Sequence, residues 1–115
     1  LQWPRGLKPL LLGRLVAYPN QTRTLLRLIA VWGREVRFKT LVRLASASEE
    51  ALAAHIDRLL ADGWLAEDWV SGEEGYVLAH PAYRAVLLSE LTALEQSRLR
   101  GFIDLRLGLK KPASP

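Results

Sequence analysis

Two sets of charged side chains are the residues best equipped to do chemistry in this chain. Arg34, Arg37, Lys39 and Arg43 lie close together in "GREVRFKTLVRL", and cations grouped in this way neutralise phosphates. Ser48, His55 and Arg58 in "SEEALAAHIDRLL" follow on a helical segment and add polar contacts of the same kind. Together they form the expected contacts to a nucleic acid. The acids Glu50, Asp57, Glu67, Asp68, Glu73 and Glu74 would do the reverse, because a face built from them repels phosphate and attracts a basic protein surface.

Other chemistries find little support. The chain has no cysteine and only two histidines, His55 and His80, so thiolate zinc sites and cysteine nucleophiles are excluded and no metal or cofactor is expected. No nucleophile, base and orienter occur in a recognisable arrangement, and the expectation is that the protein is not an enzyme. The glycines of "SGEEG" read as turn glycines, since that loop carries acids and precedes no helix that would cradle phosphate.

Charge is unevenly distributed. Residues 1–43 carry nine Lys/Arg against one acid, residues 44–83 one base against eight acids, and residues 84–115 six bases against three acids. Such asymmetry concerns partners rather than fold. With 115 residues, half of them hydrophobic, the chain is sized for one domain. No apolar run is long enough to span a bilayer, so no membrane partner is expected and a cytoplasmic location is. "LKPLLLGRLVAY" reads as a core or interface helix rather than a signal peptide.

The elements that must position these side chains can be read from periodicity. Roughly Gly6 to Ala17 predicts a short helix. A second follows Pro19, capped by Asn20 and ended by Gly33, with Leu25, Leu28, Ile29 and Trp32 on one face. Val36 and Phe38 alternate like a very short strand, and Lys39 to Leu44 predicts a helix. Ser46-Ala47-Ser48-Glu49 predicts a capping box, Ser46 acting as cap, for a helix burying Leu52, Ile56, Leu59 and Leu60 and stopping at Gly63. Two short extended runs around "SGEEG" predict a hairpin. One or two of its aromatics Trp64, Trp69 and Tyr76 suit the core, and Trp69 is the candidate for an exposed contact. His80 caps a long final helix opened by Pro81 and running to about Leu99, or past Gly101 to Leu107.

In this arrangement "VRFKTLVRLASASEEALAAHIDRLLADGWLAE", followed by "GYVLAHPAYRAVL", resembles the small bacterial and archaeal winged-helix regulators of the MarR, PadR and ArsR types. Phe38, Leu41, Leu52, His55, Ile56, Leu59 and Gly63 match the family pattern in spacing, and Tyr76 and Leu78 match its second strand. Ala79 and Ala82 stand where the family has Thr and Gly. The resemblance covers about residues 20–100 and implies a homodimeric transcriptional regulator, its third helix in the major groove of double-stranded DNA and its wing on the backbone. The exposed letters of that helix and wing are mostly acidic, which would shift phosphate contact to the cluster around Arg37.

The expected fold is therefore mostly α: a winged helix-turn-helix with a three-helix core and a two-stranded wing (residues 20–80), an extra N-terminal helix (1–19), a long C-terminal dimerisation helix (81–109) and a tail (110–115). Leu11, Leu12, Leu15, Leu87, Leu91 and Leu94 are the expected dimer contacts, because a three-helix core leaves so much apolar surface over. The expected function is DNA-binding transcriptional regulation. The alternative is a degenerate winged helix that docks a basic protein through its acidic face.

Overall fold

A computed structural model describes residues 6–45, 47–70 and 72–108. Its elements in chain order are α1 (Leu7–Val16), α2 (Asn20–Trp32), β1 (Val36–Arg37), α3 (Phe38–Leu44), α4 (Glu49–Ala61), β2 (Leu65–Val70), β3 (Glu73–Leu78), α5 (Pro81–Ser89) and α6 (Ala93–Leu107). The three strands form one antiparallel sheet in the order β1-β3-β2.

Helix α2 is the axis of the molecule. Leu25, Leu26 and Ile29 face the main core, while Leu28 and Val31 face a second apolar cluster completed by Leu44 and Ile103. A helix apolar on both sides must be covered on both sides, and α5 and α6 supply the second cover. Gly33 ends α2 in the left-handed conformation, φ 83°, as expected. Asn20 is the first helical residue rather than its cap: no side-chain cap closes that end, and Pro19 occupies the cap position.

Helix α4 buries Leu52, Ile56 and Leu59 of the stripe read from the sequence, and its fourth member, Leu60, is only half-buried. The expected capping box is corrected. Ser46 lies outside the described residues, and Ser48 is the cap, its hydroxyl accepting from the Ala51 N–H at 3.1 Å. Glu49 is consequently the first helical residue rather than the reciprocal partner. The hairpin is also tighter than expected. Val70 pairs with Glu73 across a turn that includes Gly72 at φ 80°, so Glu73 and Glu74 belong to a strand and not to a loop.

The expected single C-terminal helix is two helices. His80 caps α5 as anticipated, its Nδ1 accepting from Ala82 N–H at 3.0 Å, but α5 stops at Ser89. There the Ser89 hydroxyl donates to the Val86 carbonyl at 2.6 Å. Thr92 then starts α6 with a reciprocal box: Glu95 N–H donates to Thr92 Oγ1 at 3.0 Å, and Thr92 N–H to Glu95 Oε1 at 2.9 Å. These bonds stabilise a new helix start. The break turns α6 back across α2 and α3, where Ile103 is fully buried.

This packing corrects most of the expected dimer surface. Leu11, Leu15 and Leu87 are 2%, 8% and 2% exposed and belong to the chain's own main core. Leu12 and Leu91 are half-buried against the two clusters. Helix α1 absorbs these leucines by lying against α5, anchored at the far end of α4 where Arg14 donates to the Asp62 carbonyl at 2.6 Å. Of the six, only Leu94 remains well exposed.

Candidate interaction surface

The hairpin positions acids on both of its faces. Strand residues alternate in direction, and directly paired residues share a face. Glu67 is paired with Tyr76 and Trp69 with Glu74, which sets Glu67, Trp69 and Glu74 on the side where Tyr76 enters the core. Val70 paired with Glu73, and Arg37 with Gly75, set Glu73 on the other side, beside Arg37.

On the first side α4 contributes Asp57. Burial, reinforced by the negative charges of Glu74, Glu67 and Asp57, pushes the Tyr76 phenol up to about 12. Glu49 and Glu50 are exposed in the first turn of α4, where they complement the helix dipole. Trp69 is 72% exposed within this acidic surround.

On the second side Glu73 is a bidentate acceptor. Its Oε2 lies 3.1 Å from Arg37 Nη1 and its Oε1 lies 3.0 Å from Lys39 Nζ. The hydrogen bond and charge of Lys39, with Arg37 beyond, hold the Glu73 carboxyl below its ordinary range.

The seven residues expected to contact nucleic acid are scattered. Arg37 and Lys39 come together, but on Glu73. Arg34 lies over the Trp32 ring, 5.0 Å from its centre. Arg43 points away to α6: its guanidinium donates to the Arg106 carbonyl at 3.0 Å, and Arg106 Nε returns a bond to the Arg43 carbonyl at 3.2 Å. Ser48 is occupied as a cap. His55 turns inward, its Nδ1 2.9 Å from the hydroxyl of Thr22, which is fully buried. Arg58 lies over the Tyr18 ring, 5.2 Å from its centre, and 3.8 Å from Asp62. These bases do not merge with α4 into one basic stripe.

Sequence reasoning missed two features. The role of Glu73 was obscured by placing it in a loop, although its spacing from Trp69 and Tyr76 follows once the strand is extended. An open apolar groove of about 300 Å³ also lies between α2, the α3–α4 turn and α6, lined by residues that include Thr24, Leu52, His55, Leu99 and Phe102. It exists because α6 turns back, and no local signal marks it. Among the described residues no group of His, Asp or Glu could hold a metal ion, and no helix is long and apolar enough to cross a membrane.

The fold is mostly helical with a small antiparallel sheet. No protein-family model and no curated protein sequence matches the chain.

Proposed function

We propose that α2, α3 and α4 with the β2–β3 hairpin constitute a winged helix-turn-helix whose acidic α4–hairpin face docks a basic protein surface, with Trp69 as an apolar anchor. The observation that carries this reading is the strand register that sets Glu67, Trp69 and Glu74 on one side of the hairpin, while Arg37 and Lys39 are held by Glu73. Acids arranged across two elements steer and orient a cationic partner, and an aromatic residue at such a face supplies contact area. A cytoplasmic location belongs to the same proposal.

A second reading, a homodimeric DNA-binding transcriptional regulator, is favoured by one specific observation. Lys39 keeps 81% of its side chain exposed despite its bond to Glu73. A phosphate oxygen is a competing acceptor that Lys39 and Arg37 can reach without unfolding any element.

One experiment separates the two. Fluorescence anisotropy is measured with a labelled arginine-rich peptide and, separately, a labelled random-sequence duplex, each across a salt series. The first reading expects the peptide to bind and the combined Asp57→Lys, Glu67→Lys and Glu74→Lys changes to abolish that binding. Duplex binding with a steep salt dependence, and none of the peptide, would reverse the order of the readings.

A further inference from the structure

Strand β2 lies at the edge of the sheet. Its inner side pairs with β3, and no strand of the described chain lies on its outer side. The register is unbroken from Leu65 opposite Leu78 to Val70 opposite Glu73, and one step before Leu65 the Ala79 N–H donates to the Trp64 carbonyl at 2.9 Å. Antiparallel pairs alternate between bonded and unbonded. With Trp64 and Ala79 a bonded pair, Ala66 and Asp68 also direct their backbone groups to β3, and the N–H and C=O of Glu67 and Trp69 point outward. Both residues are exposed, Trp69 at 72%.

An open edge pairs with other chains unless it is blunted, by Lys, Pro, a bulge or shortness among other devices. The six residues of β2 contain no Lys, no Pro and no bulge, and their only charges are Glu67 and Asp68. These carboxylates guard the edge against a second copy of itself, because like charges set opposite one another are destabilising. They attract a cationic strand instead.

We propose that an extended, basic segment of a partner protein joins β2 as a fourth strand of the sheet. This rests on the reading of the α4–hairpin face as a dock for a basic protein, and it specifies how that partner is held. The outward backbone groups of Glu67 and Trp69 supply the ladder bonds, and side chains supply the selection. Glu67 and Trp69 share one face of the sheet, and residues two apart on the incoming strand fall on that same face. A Lys or Arg opposite Glu67 meets its carboxylate, and a second one lies beside the Trp69 ring, whose face attracts a cation. The residues between them need only favour a strand, as Thr and Val do. The recognised segment therefore alternates basic with β-branched residues.

The test uses the whole chain and two labelled peptides of alternating Lys and Thr, one with an ordinary backbone and one methylated at every backbone nitrogen. Side chains and charge are the same in both, but only the first can pair along a strand. Fluorescence anisotropy should show the ordinary peptide binding at least about tenfold more tightly, equivalent to about 1.4 kcal/mol. Amide hydrogen exchange followed by NMR should show the largest gain of protection in the complex at the Glu67 and Trp69 N–H groups, and little at Ala66 and Asp68, which already bond to β3. Equal affinities for the two peptides overturn strand addition and leave the acidic-face reading standing. Binding that leaves the Glu67 and Trp69 amides unprotected does the same, as does an arginine-rich peptide that binds where the alternating one does not. If no basic peptide binds, the acidic-face reading falls and strand addition falls with it.

Discussion

The ammonium of Lys39 and the carboxylate of Glu73 lie 3.0 Å apart, joining the first turn of α3 to the first residue of β3. Arg37 occupies the second oxygen of the same carboxylate. One acid of the hairpin therefore pairs with both of the cations placed nearest each other in the expected nucleic-acid site and leaves them a single net positive charge. The pair is exposed, so its consequence lies in what the surface can bind rather than in stability.

Glu73→Gln removes that competitor. The change should leave unfolding free energy within about 0.5 kcal/mol, measured in urea. It should tighten any binding to a labelled duplex at low salt and steepen the dependence of log affinity on log salt by up to about two. An unchanged slope would mean that Arg37 and Lys39 do not reach phosphate even when released.

Two phenols titrate late. Burial, with a 2.5 Å hydrogen bond to Asp62 and that residue's charge, pushes Tyr18 up to about 12; burial and the neighbouring acids do the same for Tyr76. A folded-state value above the unfolded value of about 10 means that the folded protein holds these protons more tightly. The resulting stabilisation is fully present below pH 10 and is lost as pH rises through 12. Urea unfolding at rising alkaline pH should show stability falling across that window, and Tyr18→Phe should remove part of the fall.

The start of α6 rests on Thr92. Thr92→Ala removes one half of the capping box and should cost about 1 kcal/mol in urea unfolding. Ile103→Ala opens a cavity between α2, α3 and α6 and should cost about 2–5 kcal/mol. Equal effects of the two changes would show that the cap holds α6 as strongly as its packing does.

Trp69→Ala tests the exposed aromatic. The side chain contributes little to the core at 72% exposure, so stability should stay within about 0.5 kcal/mol of the parent. Binding of the arginine-rich peptide should weaken at least about tenfold if the indole is an anchor, the size of effect such residues carry.

Much of the chain was legible in its sequence. Leu52, Ile56 and Leu59 declared the buried side of α4, Gly33 and Gly63 adopt the left-handed conformation expected of terminators, and His80 caps the helix after it. These are local matters of spacing and backbone conformation, which neighbours along the chain decide. The leucines from Leu87 to Leu105 suggested one continuous helix, and the capping box of Thr92 and Glu95, which the sequence reading passed over, divides it.

Partnership across the fold was not legible. Leu11, Leu15 and Leu87 looked like surplus apolar surface because a sequence gives no measure of how much core two extra helices can fill, and α1 and α5 fill it with one another. Arg37, Lys39, Arg43, His55 and Arg58 looked available for an outside partner, yet each meets a group from another element or turn. The sequence by itself determined where helices and strands form and that one stretch is acidic between two basic ones. Only the tertiary structure decided which charges meet: Coulombic pairing depends on distances of a few ångströms, and the chain sets those only when β3 lies between β1 and β2 and α6 folds back over α3.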